Sequence, residues 1–282
     1  MFLEIKFKGG LGNQLFQYAM GRSLCVENKI ANLLLNTESY SGESLNRTFA
    51  LANLQIKGTI ITSNRVKKIF RQHTKLNKIF TAFGLHKDIG EENFSIQQLK
   101  KKTGFLTSVS GYWQSDFYFN NIRQILLKEF TPLHLPVLPV WIAENNTVAV
   151  HVRRTDYLTE NRYGVLGTDY YDAAMCVLKE KLADPFFIFF SDDIAWCQAN
   201  FRNNRVIFCE GEQWREDYIQ LHLISKCAHQ VIANSSFSWW GAWLNTNPQK
   251  IVIRPATPFK EKGLMYESHY PSAWISLNNK NE

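Results

Sequence analysis

Several features that define whole classes of protein are missing from this chain of 282 residues. It has no run of about 18 or more apolar residues, which excludes a membrane-spanning helix of ordinary length. The five cysteines are scattered and odd in number, with no CxxC pair. They therefore predict reduced thiols rather than a disulfide framework or a zinc site. The histidines show no HExxH or other paired spacing, and no GxSxG segment occurs, so we expect no bound metal and no serine-hydrolase elbow.

The N-terminal segment does not have the pattern of a signal peptide. Apolar and polar residues alternate in segment 1–9, as they do in a strand, and a glycine-rich turn follows. A signal peptide instead has a basic start followed by an apolar core. Together with the reduced thiols, this pattern predicts a cytoplasmic protein.

The chain is basic, with a formal net charge of +7 and a pI of about 9.1. Such a charge is compatible with nucleic acid, an anionic membrane surface or an anionic small substrate as partner. The basic residues concentrate in Lys57–Lys102. A solvated helical face explains this stretch, and docking on the inner face of an anionic membrane is the alternative. No signature of a nucleic-acid-binding fold occurs, so we expect no nucleic-acid partner.

The first half of the chain predicts an α/β unit. The expected strands are Phe2–Lys8, Asn32–Leu35 and Phe105–Trp113, and the expected helices are Asn13–Glu27, Asn64–Phe80 and Ser115–Glu129. Segment 131–139 then contains three prolines, which break both helix and strand and indicate a connection between domains. We place the boundary near residue 140, giving domains 1–140 and 141–282.

The second half alternates strands and helices more regularly. The expected strands are Val148–Arg153, Phe186–Phe190, Val206–Glu210, Gln230–Ala233 and Lys250–Arg254, separated by the helices Asp169–Leu182, Asp193–Phe201, Trp214–Cys227 and Phe237–Leu244. This order predicts a parallel sheet with helices on both faces.

Three polar clusters follow three of these apolar strands. They are His151, Arg153, Arg154 and Asp156; then Ser191, Asp192 and Asp193; then Asn234, Ser235 and Ser236. Because ligands bind beyond the carboxyl ends of parallel strands, we expect the clusters to meet at one edge of the sheet.

These residue types suit a purine nucleoside diphosphate. Two adjacent arginines are too costly to bury without partners, and their planar guanidinium groups match phosphate oxygens. Hydroxyls at a helix start accept phosphate, and a carboxylate can accept the two N–H donors of a guanine edge. The alternative is that Asp192 and Asp193, like Ser235 and Ser236, merely cap helices.

Two further features of the sequence are open to more than one interpretation. The turn Gly9-Gly-Leu-Gly-Asn-Gln14 departs from GxGxxG, and it either lets a ligand approach the backbone or simply makes a tight turn. Trp239, Trp240 and Trp243 have helical spacing, which favours packing between helix and sheet over a sugar platform.

Five motifs in order resemble the bacterial α-1,2-fucosyltransferases of glycosyltransferase family 11. They are Gly-Gly-Leu-Gly-Asn-Gln-Leu-Phe-Gln-Tyr-Ala at 9–19, Gly-Tyr-Trp-Gln-Ser at 111–115, His-Val-Arg-Arg-Thr-Asp-Tyr at 151–157, Phe-Ser-Asp-Asp at 190–193 and Asn-Ser-Ser-Phe-Ser-Trp-Trp-Gly-Ala-Trp at 234–243. The resemblance covers almost the whole chain.

The resemblance implies a GT-B fold, in which two Rossmann-like domains face each other across a cleft. The C-terminal domain would bind GDP-fucose and the N-terminal domain the acceptor. The implied reaction is an inverting, metal-independent transfer from GDP-β-L-fucose to the 2-hydroxyl of a terminal galactose. No other cofactor is implied, and the acceptor is a galactose-terminated oligosaccharide or a lipid-linked glycan.

The resemblance also implies roles for individual residues. Arg153 would contact the diphosphate and stabilise the leaving GDP, supported by His151 and Arg154. Asp192 or Asp193, with Asp193 favoured, would bind guanine. The remaining implied donor contacts are Asn234, Ser235 and Ser236, together with Gly10, Asn13 and Gln14 from the first domain. Trp113 and Gln114 would lie on the acceptor side.

The catalytic base and the exact activity stay open on the sequence. Asp156 is the first candidate to take the proton of the acceptor hydroxyl, but it can equally pair with an arginine, and the reaction can proceed without a base. The rival hypotheses are a GT-B enzyme that uses another GDP-sugar, a nucleotide-sugar-binding protein without catalysis, and a basic nucleic-acid-binding protein.

Overall fold

The computed structural model describes residues 1–41, 47–62, 86–91, 105–144, 146–160, 164–257, 259 and 270–279. It divides into two compact units, Met1–Leu133 and His134–Glu282. The division falls inside the proline-containing segment 131–139, shortly before residue 140, where the sequence placed the boundary. No helix in the described ranges is both long and apolar enough to cross a membrane.

Unit 1 contains a parallel sheet of five strands in the order β3-β2-β1-β5-β4. The strands are β1 Phe2–Lys6, β2 Asn32–Asn36, β3 Thr59–Ile61, β4 His86–Gly90 and β5 Leu106–Ser110. The α-helices within its described residues are α1 Leu11–Glu27 and α2 Arg123–Glu129. Helix α1 packs closely on β1 because Gly21 has no side chain: a Cβ there would lie 2.3 Å from Ile5 Cδ1.

The prediction of one continuous helix over Ser115–Glu129 is wrong. The structure has two short 3-10 turns, Asp116–Tyr118 and Asn120–Ile122, before α2 begins at Arg123. Phe119 interrupts the helix with φ −148° and ψ 8°, and its ring is fully buried against Phe16. Burial of this ring outweighs local helical preference. The predicted helix Asn64–Phe80 lies outside the described residues.

Unit 2 contains a parallel sheet of six strands in the order β11-β10-β9-β6-β7-β8. The strands are β6 Thr147–Val152, β7 Phe186–Ser191, β8 Val206–Phe208, β9 His229–Val231, β10 Val252–Pro255 and β11 Ile275–Leu277. The helices are α3 Thr168–Lys181, α4 Ile194–Asn200, α5 Asp217–Lys226 and α6 Ser236–Leu244.

The core of unit 2 has apolar clusters on both faces of its sheet. Val148 and Val150 of β6 pack into one cluster with residues of α3, while Ala149 packs into the other with residues of α5. Trp239, Trp240 and Trp243 are buried at 3%, 0% and 3% exposure, which confirms the packing interpretation of these rings. Each unit is thus a Rossmann-like α/β domain, and the predicted GT-B fold class is confirmed.

Candidate active site

The three polar clusters of unit 2 lie at one edge of its sheet, as predicted. Strand β6 pairs in parallel with β9 on one side and with β7 on the other. The residues that follow these three strands therefore share the carboxyl edge, where parallel α/β sheets bind ligands.

Arg153, the first residue after β6, is held by two carboxylates. Its Nε and Nη2 donate to the two oxygens of Asp156 at 2.8 and 2.7 Å, and its Nη1 lies 3.3 Å from Asp192 Oδ2. Burial lowers the pKa of Arg153, but the hydrogen bond to Asp156 and the charge of Asp192 outweigh burial and raise it. Since a guanidinium has five N–H donors, about two of them remain for a ligand.

Asp192 also fixes the backbone of the arginine loop. Its Oδ1 accepts a hydrogen bond from Arg154 N at 3.0 Å, and its Oδ2 accepts from Thr155 N at 3.2 Å and from the Thr155 hydroxyl. One carboxylate at the end of β7 thereby determines the conformation of the loop that follows β6. The structure places Asp192 against the arginine loop, and the guanine contact that the sequence suggested for Asp192 or Asp193 stays a prediction.

Arg154 points into a largely buried environment and is only 9% exposed. Its guanidinium carbon lies 4.0 Å from the ring centroid of Trp196, and its Nε lies 3.5 Å from Asp193 Oδ2. Its Nη1 is buried and makes no hydrogen bond within the described chain. Asp193 in turn caps α4 by accepting from Trp196 N at 3.2 Å. Arg154 is thus positioned by an aromatic face and a carboxylate.

His151 lies beneath the arginines as a neutral side chain. It is 5% exposed, its Nδ1 lies 2.6 Å from the Ser238 hydroxyl, and its ring packs on Phe237. Burial, and then the nearby charge of Arg153, lower the pKa of His151 to about 3, against the opposing effect of Asp192. Because its imidazole is neutral, His151 adds no third positive charge beside Arg153 and Arg154.

The third cluster surrounds the start of α6. Ser235 is the N-cap residue, its Oγ accepts from Phe237 N at 3.3 Å, and Ser236 is the first residue of the helix. Asn234 is 4% exposed and donates to Gly164 O at 2.7 Å. The two serines and the helix start are partly exposed, whereas the Asn234 side chain contacts a neighbouring loop of the protein.

In unit 1, the glycine-rich turn after β1 is fixed by two glutamines of α1. Gln14 donates to Gly9 O at 3.0 Å and to Thr48 O at 2.9 Å, and its Oε1 accepts from Ala50 N. Gln17 bonds both the N–H and the carbonyl of Lys8. Gln14 is fully buried and bonds the backbone around this turn, and the ligand approach that the resemblance implied for it stays a prediction. Gly10 begins α1 as its N-cap residue.

The segment after β5 places Trp113 and Gln114 in different environments. Trp113 is 1% exposed, and its ring packs edge-on against Tyr118. Gln114 is half-buried and donates to Asn13 Oδ1 at 2.8 Å. The structure therefore brings Asn13 and Gln114 together at the adjacent ends of β1 and β5, while Trp113 belongs to the core.

The sequence interpretation missed four residues that shape these two sites. They are Gln17, Glu91, Trp196 and Ser238. Ser238 lies within the Asn-Ser-Ser-Phe-Ser-Trp-Trp-Gly-Ala-Trp motif, where its helical spacing from Ser235 was an available signal. Glu91 had no such signal, because its contacts depend on the pairing of β4 with β5. In the described ranges, no group of three or more His, Cys, Asp or Glu side chains is arranged to hold a metal ion.

Two Rossmann-like units, with an arginine pair held at the carboxyl edge of one sheet, are compatible with a glycosyltransferase that uses a nucleotide sugar. The chain belongs to glycosyl transferase family 11, whose sequence pattern matches residues 2–278. It is 32% identical to an alpha-1,2-colitosyltransferase and 31% identical to the O-antigen biosynthesis glycosyltransferase WbnK, both from Escherichia coli. These matches cover 96% and 95% of this chain and 97% and 98% of the relatives.

A mammalian relative and one solved structure extend the comparison. The galactoside 2-alpha-L-fucosyltransferase Sec1 of Mus musculus is 27% identical over 97% of this chain and 73% of its own length. A glycosyl transferase family 9 protein from Veillonella parvula superposes with a TM-score of 0.50 at 10% identity, covering 100% of this chain and 88% of its own. At that identity the superposition supports the fold alone.

Proposed function

We propose that this protein is an inverting galactoside α-1,2-fucosyltransferase that uses GDP-β-L-fucose. The proposal rests on the position of Arg153. Two carboxylates hold this residue at the carboxyl end of β6, and N–H groups of its guanidinium remain to bind a diphosphate. Membership of family 11 and the name of the Mus musculus relative support fucose as the sugar and galactose as the acceptor.

In the proposed reaction, the 2-hydroxyl of galactose attacks C1 of fucose from the face opposite the phosphate. The C1–O bond to phosphate breaks as the new bond to the galactose oxygen forms, and GDP leaves with the bonding electrons. The proton of the galactose hydroxyl passes to an oxygen of the departing diphosphate. Negative charge on the diphosphate is greatest at the transition state, so a fixed guanidinium stabilises that state more than the ground state. Arg153 performs this role.

The rest of the donor site follows from the positions of the neighbouring groups. Ser235, Ser236 and the N-terminus of α6 bind phosphate oxygens, since a helix start favours anions. Arg154, whose Nε lies 3.5 Å from Asp193 Oδ2, positions Asp193, which binds the guanine edge. Neutral His151 packs on Phe237 and contacts Ser238, and so supports the end of β6 from which the arginine loop begins.

We assign Asp156 to positioning Arg153 rather than to removing the proton of the acceptor. Both of its oxygens already accept N–H groups of Arg153. A general base must take up the proton of the attacking hydroxyl, and a protonated, neutral Asp156 would lose the charge-assisted part of its two bonds to Arg153.

We further propose that the reaction needs no metal and that the protein acts in the cytoplasm. The two arginines supply the positive charge that a divalent cation supplies in other transferases. The basic surface would then favour peripheral contact with the anionic inner face of the membrane, where a lipid-linked glycan is accessible.

The proposal is tested by incubating the protein with GDP-fucose and lactose or N-acetyllactosamine, with and without EDTA. We expect GDP release together with a 2-fucosylated product, identified by mass spectrometry and linkage analysis, at the same rate in both conditions. Arg153→Ala should lower kcat by at least about 10²-fold, as loss of a preorganised oxyanion donor does. Near-normal turnover by this variant would refute the role of Arg153.

A second candidate donor is a GDP-sugar other than GDP-fucose. The identity of 32% to an alpha-1,2-colitosyltransferase favours colitose, which is fucose without its 3-hydroxyl. Comparing kcat/KM for GDP-fucose and GDP-colitose with one acceptor decides between the two. Binding of both nucleotides without any transfer would instead indicate a nucleotide-sugar-binding protein.

A further inference from the structure

The loop that follows β5 has an unusual backbone. Trp113 has φ +56°, a left-handed conformation in a non-glycine residue, and Gly111 has φ +144°. A non-glycine residue in this region costs about 1–3 kcal/mol, and such strain is typical of functional sites. Glu91 stabilises the loop by accepting hydrogen bonds from Tyr112 N at 2.6 Å and Trp113 N at 2.9 Å. The strained turn buries Trp113 and leaves Tyr112 39% exposed.

The Tyr112 ring lies beside Lys8, the residue that precedes the glycine-rich turn. Lys8 Nζ is 4.2 Å from its ring centroid, a cation–π distance. Lys8 itself is fixed through its backbone by Gln17. The exposed residue is therefore held at its ring by Lys8 and at its backbone by Glu91.

A pair of amide side chains lies at the same strand ends. Gln114 Nε2 donates to Asn13 Oδ1 at 2.8 Å. This bond leaves Asn13 Nδ2 as a donor and Gln114 Oε1 as an acceptor, neither with a hydrogen bond to the described part of the chain, and both residues are half-buried. A sugar hydroxyl both donates and accepts, so the pair matches one or two hydroxyls of a pyranose.

We propose that Tyr112, Asn13 and Gln114 form the subsite for the terminal galactose of the acceptor, with Tyr112 as its aromatic platform. The apolar C–H face of galactose packs on the ring while its hydroxyls bond the amide pair, a combination typical of small-molecule sites. Trp113, expected from the resemblance to lie near the acceptor, is buried and acts by supporting the loop. This inference rests on the proposed acceptor class.

The test compares Tyr112→Ala with Phe117→Ala in steady-state kinetics. Phe117 is a matched control because it is an aromatic residue of the same segment, exposed at 67%. We expect Tyr112→Ala to raise the KM for lactose about 10-fold, equivalent to about 1.4 kcal/mol, with little change in the KM for GDP-fucose. Phe117→Ala should leave both values unchanged. An unchanged lactose KM, or a rise confined to the GDP-fucose KM, would overturn the proposal.

A binding measurement separates failure of the subsite from failure of the proposed donor. Saturation-transfer NMR detects lactose on the protein without GDP-fucose, and Tyr112→Ala and Gln114→Ala should each weaken the signal. If the wild type binds lactose but transfers no fucose, the donor assignment fails and the subsite stands. If the wild type binds no lactose, or both variants bind as it does, the subsite proposal is wrong. Circular dichroism confirms that the variants fold.

Discussion

Replacing Asp156 by asparagine separates the two roles that its position allows. The change keeps the size of the side chain and removes its charge. In the structure both carboxylate oxygens accept from Arg153, at 2.8 and 2.7 Å. An asparagine oxygen can still accept one of these N–H groups, but its NH₂ group faces the other. Arg153 thus keeps one bond and loses its fixed orientation.

The expected size of the effect follows from the lost interaction. The side chains of Arg153 and Asp156 are 31% and 36% exposed, so the ion pair adds only about 0.2–1 kcal/mol to folding stability, and the variant should fold. A hydrogen bond to a charged group contributes roughly 1.5–3 kcal/mol. If that energy is expressed in orienting Arg153 towards the leaving GDP, kcat falls about 10- to 10²-fold.

The assay is kcat for fucosyl transfer from about pH 5 to 9, where general bases commonly titrate. A positioning role lowers kcat at every pH and leaves the shape of the profile unchanged. If Asp156 is instead the base, the acidic limb disappears. Asp172→Asn, on an exposed position of α3, is the matched control and should match the wild type. A lost acidic limb, or an unchanged kcat, would refute the positioning role.

Two further predictions concern the groups around the arginines. Asp192→Asn should weaken the binding of GDP and of inosine diphosphate (IDP) equally, by about 10-fold as measured by calorimetry, because the carboxylate orders the arginine loop through charge-assisted bonds. Asp193→Asn should instead abolish the preference for GDP over IDP, since inosine lacks the 2-amino group of guanosine. Loss of that preference in the Asp192 variant would contradict its positioning role. The pKa of His151 is lowered to about 3, so the unfolded chain takes up this proton first as the pH falls below about 6.5. The difference in the free energy of unfolding between the wild type and His151→Gln, measured in urea, should therefore shrink by up to about 1.4 kcal/mol for each pH unit below that point. A difference that stays constant between pH 7 and 5 would count against a buried neutral imidazole.

The candidate site at the edge of the second sheet was largely predictable because its strands have strong sequence signals. The apolar runs before Arg153, Ser191 and Asn234 mark β6, β7 and β9. Polar residues after buried parallel strands must then emerge at one edge. What the sequence did not reveal is which carboxylate holds which donor, since the bonds of Asp192 to the backbone N–H groups of Arg154 and Thr155 join residues far apart in the chain.

The first unit was harder to predict for physical reasons. Strand β4 has the sequence His-Lys-Asp-Ile-Gly, without apolar alternation, and β3 is only three residues long. Gln14 carries polar atoms in a glycine-rich turn, the usual sign of a ligand contact, yet backbone groups satisfy its amide. Polarity in a sequence does not distinguish a side chain that binds a ligand from one that bonds a buried loop.

The balance of charges in the proposed donor site indicates how the site would bind a diphosphate. With His151 neutral, the two arginines are outnumbered by Asp156, Asp192 and Asp193, so simple attraction to net positive charge does not explain binding. Affinity must come from directed N–H groups that the carboxylates hold in place. Replacing Asp156 or Asp192 by asparagine makes the site more positive, so an attraction model predicts tighter GDP binding. If the carboxylates instead preorganise the arginine N–H groups, both variants should bind GDP more weakly or transfer fucose more slowly. Whether GDP affinity rises or falls in these two variants therefore decides between the two models.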